Sequence, residues 1–458
     1  GDEVMDCDRW VQILTRVQSS KLLDYSMERL GSLYFGCLSD IGELYVVLEE
    51  YWERKDLARE NINGDSLFSS DEYYSDALIW SIFTLALYYM PLKKLMTLFP
   101  SVPNELVSQH SAGFDNSMFC EEIRIEMVQC FTKCTLTLLE KARFMSNPDI
   151  RLIQVYLVLT NTTFPQRNIH LSKNLSIQCY NVAKFFRVNE FRPSVNDGTA
   201  LRLTKVTCEK LWYRLCVCDY LQSNPTSYTP FHKELPSLLQ HAAYLEDLPN
   251  IDIYQSEPNF EVFYWKVISL ERDLDQYLNK ESKPPLKTLN AIERQINIFN
   301  EKLSAEEDDE SLKSDFEKFL VTYLLRTISW KLQKMYFIYH GVSGAFQKTM
   351  HYAKSLIALT VKNIKQQNNA IFASHFSVFQ SLTRIASFYA FYGIFEESPE
   401  VEDLNLDIAE LLSSLPSVFA VELVYSQYLL SRFESLKDIW SNIHLIAVSY
   451  THLTLPTN

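Results

Sequence analysis

The stretch from Thr199 to Leu221 constrains the fold more than any other, because its second half reads as a helix with no hydrophilic side. Cys208, Leu211, Leu215 and Cys218 recur at helical spacings of three and four, and Trp212, Tyr213, Cys216, Val217 and Tyr220 fill the other faces. A helix that is apolar all round has to be enclosed by other elements on every side. Its large side chains stabilise by roughly 1.5–3 kcal/mol each when fully buried, so the segment belongs at the centre of a large core. Asp219 falls near the C-terminal end, where the helix dipole disfavours an anion, and is expected to have a cationic or backbone partner. Asn224, Pro225 and Pro230 stop the helix.

Other helices are what can enclose it. The 458 residues contain only ten glycines, too few for the turns of sandwiches, barrels and phosphate loops. No run alternates with period two between turn residues. The fold class is therefore all-α, a large multi-helix array, with no fixed-period repeat in the sequence. Two short helices fit Met5 to Leu30, and Asp40 caps a helix with Ile41, Leu44, Val47, Leu48 and Tyr51 in one stripe. Ser75 or Asp76 begins an apolar helix ending at Met90, and Glu121 to Phe144 is helical with Ile125, Val128, Phe131 and Leu138 along one side. Asn147-Pro148-Asp149 is a helix-start signal for Leu152, Val155, Tyr156 and Leu159. Leu171 to Val188, Leu235 to Tyr244, Asn259 to Leu278 and Leu286 to Leu303 follow as helices. Long helices then cover Phe316–His340, Ala345–Gln366, Phe372–Phe395, Asp403–Leu415 and Val418–Ile446.

The organisation predicted from this is N-terminal helices over 1–72, a helical core over 73–303, a linker over 304–315 and a C-terminal helical region over 316–447. The linker rests on the solvated run Glu306, Glu307, Asp308, Asp309 and Glu310. Residues 448–458, rich in Thr and Pro, break the amphipathic pattern and read as a non-native tail of translated sequencing adapter.

The formal charge of -14, from 57 acidic and 43 basic residues, argues against a nucleic-acid footprint in this segment and for solubility. Nine cysteines without a signal peptide imply free thiols in a reducing compartment, cytosolic or nuclear. Ala77 to Met90, the longest apolar run, is too short to span a bilayer. Cys130 and Cys134 share one helix and Cys208, Cys216 and Cys218 another, without Cys-x-x-Cys or His-x-x-x-His pairing; they read as small buried apolar residues. There is no Gly-x-Ser-x-Gly elbow and no Gly-x-x-x-x-Gly-Lys loop. His241 reads as a structural histidine, the acid pairs such as Glu49-Glu50 as solvated faces, and Lys354, Lys362 and Lys365 as a solvent face. The chain is thus no enzyme, with no catalytic, cofactor or metal residues of its own. Its function must come from surfaces that bind macromolecules.

Three stretches resemble the fungal transcription-factor regulatory domain. They are Asp149 to Leu157, with Asp149 at the helix start and Gln154 within it; Val182 to Val188; and Leu211 to Asp219, a helix with Trp212, Arg214 and a terminal acid at Asp219. Those five residues are its structural motif in this chain. Further strings are similar to the zinc-cluster subunit family of the budding-yeast point-centromere binding complex. They include Asp76 to Ser81, Tyr88 to Pro91, SLLQHAAYLEDLPN over 237–250 and DLDQYLNKESKPPLKTLN over 273–290. The resemblance runs from about Leu30 to about Ile439 and includes loops and caps as well as apolar faces. It implies a nuclear, homodimeric inner-kinetochore protein at centromeric DNA, working with an F-box subunit, its Skp-family partner and a large DNA-binding scaffold subunit, away from membranes. In that family a zinc cluster reads the DNA. No six clustered cysteines surround Cys7, so no zinc-binding or DNA-contacting residue is carried over, and zinc is expected in a cluster missing from this segment. The alternative is the regulatory domain of a zinc-cluster transcription factor acting at promoters.

Overall fold

The computed structural model describes residues 14–34, 38, 42–60, 69–100, 119–190, 205–222, 260–277, 282–304, 315–366 and 370–454. These residues form helices, short 3-10 turns and connections, with no strand among them. Contacts divide the chain into two compact units, 1–328 and 329–458. The division falls inside the helix Asp315–His340. Most of the expected linker, residues 305–314, lies outside the described residues, as do the expected helix 235–244, His241 and the stop signals at 224–230.

The first unit holds α1 (Arg16–Arg29), α2 (Gly31–Tyr34), α3 (Glu43–Glu60), α4 (Ser70–Tyr89), α5 (Leu92–Leu98), α6 (Glu121–Lys141), α7 (Ile150–Leu159), α8 (Phe164–Arg167), α9 (Ile169–Phe185), α10 (Lys205–Gln222), α11 (Phe260–Asp275), α12 (Leu286–Ser304) and the first half of α13 (Asp315–His340). Its most enclosed helix is α4, packed by α1, α3, α6 and α7, with every residue from Ile79 to Leu87 at 0% exposure. Trp80 makes edge-on contacts with Phe131 at 4.8 Å and Phe83 at 5.5 Å. The polar residues of this run bond within the helix: Ser81 Oγ donates to the Leu78 carbonyl at 2.6 Å and Thr84 Oγ1 to that of Trp80 at 2.8 Å. The helix starts at Ser70, earlier than Ser75 or Asp76. Ser69 caps it, accepting from Glu72 N while the Glu72 carboxylate accepts from Ser69 N, a capping box that is legible as Ser-x-x-Glu.

Helix α10 packs against α7, α9 and α11, and its residues Cys208, Leu211, Trp212, Tyr213, Leu215, Cys216 and Val217 are each at most 3% exposed. Enclosure on all sides is what its pattern required. Helix α6 stops at Lys141, short of Phe144, because Arg143 adopts a left-handed φ of 56° and its carbonyl accepts from Ser146 N and Asn147 N. Its buried face runs through Ile123, Met127, Cys130 and Cys134, so Ile125 and Leu138 sit half-buried at its margins. Pro148 precedes the N-cap Asp149 instead of occupying the first helical position.

The second unit takes the end of α13 with α14 (Ala345–Lys365), α15 (Phe376–Phe395), α16 (Pro399–Ser414) and α17 (Ala420–Thr454). Trp330, Phe346, Phe388 and Tyr389 form its aromatic centre; Trp330 Nε1 donates to the Tyr389 hydroxyl at 3.2 Å. Residues 370–374 form a 3-10 turn, and α15 begins only after His375, whose Nδ1 accepts from Ser377 N at 3.3 Å. Helix α16 begins at Pro399 in its first turn, four residues before Asp403. Helix α17 continues to Thr454, so the backbone carries helix through 448–454, where a non-native tail was expected. No helix among the described residues is long and apolar enough to cross a membrane.

Candidate functional site

The five motif residues all lie in the first unit, and all are buried. Asp149 and Gln154 share the α7 region; Trp212, Arg214 and Asp219 share α10, which packs on α7. Asp149 caps α7, accepting from Arg151 N at 2.8 Å and from Arg151 Nε at 2.9 Å, with its second oxygen 2.6 Å from Nη2. The same guanidinium donates to the Asp71 carbonyl at 3.0 Å and to Ser75 Oγ at 2.8 Å, and also bonds the Asp71 carboxylate. One arginine thus ties the start of α7 to the first turn of α4. Charge-assisted bonds of this kind are about twice as strong as neutral ones.

On α10, the Trp212 ring meets Tyr180 edge-on at 5.8 Å, and the Tyr180 hydroxyl donates to the Leu215 carbonyl at 2.8 Å. Arg214 donates to the Ser32 carbonyl at 3.2 Å, lies 3.6 Å from the Glu261 carboxylate and covers the Phe260 ring at 5.2 Å. It joins α10 to α11 and to α2 at once. Burial, and secondly the Asp219 charge, hold the Tyr180 hydroxyl and the Cys216 thiol well above their ordinary pKa values. Burial alone lifts Cys208 to about 11. Such thiols stay protonated and are poor nucleophiles. The seven described cysteines are thiols outside any disulfide, six of them buried, and among the described residues no three His, Cys, Asp or Glu side chains converge on a metal position. Sequence reasoning missed Arg151, Asp71 and Glu261 as partners. Their signal was a charge set beside or within an apolar run, as with Glu261 before Val262-Phe263-Tyr264-Trp265.

The second unit presents a different kind of site. Helix α17 rests on α15 through Phe433, 6.1 Å from Phe391, and through Trp440, 5.1 Å from Phe395. A second face of the same helix carries Val421, Tyr425, Tyr428, Leu436, Ile439 and Ile443, between 49% and 75% exposed. With Arg432 between them the spacings run 4, 3, 4, 4, 3 and 4, an eleven-residue repeat close to the natural pitch of a straight helix. The one charge in the row is turned along it: Arg432 Nε donates to the Tyr428 hydroxyl at 3.0 Å and the guanidinium covers that ring at 4.8 Å. An exposed apolar row of this kind is a candidate interaction surface.

The Cep3 family profile, which describes the B subunit of the "Centromere DNA-binding protein complex CBF3", matches residues 9–454. The chain belongs to the Cep3 family. The Saccharomyces cerevisiae protein that carries the same description is 45% identical over 444 residues, 96% of this chain and 71% of the relative. A chain in the solved structure of the K. lactis CBF3 core is similar with a TM-score of 0.72 at 29% identity, over 95% of this chain and 85% of that one. The span matched by the Cep3 profile contains α1 to α17, so both the buried braces of the first unit and the bare row on α17 lie within it.

Proposed function

We propose that the chain is the helical scaffold of a centromere DNA-binding complex subunit, acting in the nucleus at the inner kinetochore as a homodimer. It makes and breaks no bonds. Its helices, of the fungal transcription-factor regulatory type, hold zinc-cluster readers on a point centromere, the cluster lying outside the described residues. Other surfaces dock an F-box subunit with its Skp-family partner and a large DNA-binding scaffold subunit. The observation that carries this reading is the exposed apolar row of α17 on a chain that shares 45% identity with the Saccharomyces cerevisiae Cep3-family protein. A second copy presents the same row and can cover it across a two-fold axis, since an isologous interface needs one self-complementary patch. The promoter-bound alternative has no observation in its favour.

Light scattering at micromolar concentration tests the dimer: a dimer is expected for the native chain and a monomer for Tyr425→Glu with Leu436→Glu, at unchanged helical circular dichroism. A clean monomer of the native chain would remove the dimer. Chromatin occupancy of the full-length protein tests the location, with one site per chromosome supporting the centromere and many promoters supporting the alternative.

A further inference from the structure

We infer that α14 carries a DNA-backbone contact, with Lys348, Lys354, Lys362 and Lys365 forming a cationic ridge laid against duplex phosphates in the assembled complex. The inference rests on the proposed function and assigns it a surface.

Four lysines and His351 occur in the 21 residues of α14 without a single Asp or Glu, in a chain whose net charge is -14. All four lysines are exposed, and none forms an ion pair among the described residues. Thr349, Met350, Ala353, Leu356, Thr360 and Asn363 make the buried side of the helix. At about 100° per residue the lysines fall within an arc of about 120° centred opposite that side, and at 1.5 Å per residue the ridge is about 26 Å long.

An ordinary solvated face mixes charges of both signs, which pair at i,i+4. Here the signs are sorted by helix: α16 carries Glu400, Glu402, Asp403, Asp407 and Glu410 and no Lys or Arg. The helix dipole accounts for Lys362 and Lys365 in the last turn of α14 but not for Lys348 near its start or Lys354 at its middle. Lys362 and Lys365 repel each other across one turn with no acid on the helix to relieve them. Unpaired like charge of this kind is suited to a partner that brings dense negative charge.

Duplex DNA fits better than an acidic protein. The exposed side of α14 has no exposed large apolar side chain, while a protein interface is built around an apolar centre. Phosphates at about 3.4 Å per strand offer several acceptors along the ridge, and lysines bind them as point charges without needing a fixed register.

The test uses the full-length protein in its assembled complex, with fluorescence anisotropy on a centromeric duplex across a salt series. K348Q/K354Q/K362Q/K365Q is expected to weaken binding and to flatten the slope of log K against log salt by about 0.9 for each phosphate that is no longer neutralised. The weakening should be the same on native and base-substituted centromere sequences, because phosphate contacts carry no sequence information. The matching set of Lys→Arg changes should restore the slope. An unchanged slope overturns the ridge. So does an equal flattening from K173Q/K184Q/K287Q/K302Q in the first unit, which removes the same charge elsewhere. Loss of complex assembly with an intact slope in the fraction that assembles makes the ridge a protein-docking face and overturns the DNA contact. A native complex that does not bind the duplex overturns the proposed function itself, whatever the variants do.

Discussion

Helices α10 and α17 are both rich in large apolar side chains, and one is wrapped by three neighbours while the other is covered on one face only, by α15. In α10, Trp212 and Leu215 are each 1% exposed; in α17, Tyr425 is 75% exposed and no side chain described from Ala420 to His444 is fully buried. The charges divide the same way. Arg214 is enclosed with a carboxylate, a carbonyl and a ring around it, whereas Arg432 lies over its own neighbour Tyr428 in solvent. These helices of the first unit turn their apolar and charged groups inward, and α17 of the second leaves an apolar face exposed.

The two helices should differ most at Trp212. Trp212→Ala is expected to destabilise the fold by about 3–5 kcal/mol in urea unfolding, the usual cost of emptying a large enclosed site. Tyr425→Ala, by contrast, should leave unfolding of the monomer, measured at concentrations where the dimer is dissociated, within about 0.5 kcal/mol. Equal effects at both sites would erase the distinction.

Arg214→Ala is expected to cost about 3 kcal/mol in the same unfolding experiment, because removing one partner of a buried pair strands Glu261. Arg432→Ala should be close to neutral by the same measurement.

A pH series probes the buried charges of the first unit. Burial raises the Asp76 carboxyl from its ordinary value of 3.8 to about 7, against the pull of Arg54 beside it. Between those values the folded chain holds a proton that the unfolded chain has released, so this group's contribution to stability falls as pH rises from about 4 to about 7. Asp76→Asn should remove a pH-dependent loss of a few kcal/mol at most, at about 1.4 kcal/mol for each pH unit separating the folded and unfolded pKa values. A stability curve of the same shape in the variant would show that Asp76 is ionised throughout.

Ser69→Ala, which opens the capping box of α4, should cost about 1 kcal/mol in thermal melting. Smallest of all, Lys437→Ala breaks the exposed 3.2 Å pair with Glu402 and should change stability by less than about 0.5 kcal/mol.

Much of this architecture could be read in advance where the signal was local. Apolar runs at helical spacing located α4, α7 and α10, and Asp149 announced the start of α7. Ser69-x-x-Glu72 and Ser398-Pro399 announced the starts of α4 and α16 just as openly, yet the apolar pattern that begins later drew the boundary away from them. The end of α6 had no such signal, because nothing in Arg143 as a residue type favours a left-handed backbone. Of the candidate sites, the five motif residues were named from resemblance, and among their partners Ser32 and Glu261 come from other parts of the chain, with Ser32 182 residues away from Arg214. The row on α17 falls in the helix expected over Val418–Ile446, and three lysines of the α14 ridge, Lys354, Lys362 and Lys365, were expected as a solvent face.

What the sequence determined by itself was the kind of element: spacing of three and four with few glycines makes helices, and a helix apolar on every side demands cover. Only the tertiary structure decided which apolar face received that cover and which did not. Periodicity records that a face is apolar, and whether another helix lies against it depends on residues far away in the chain.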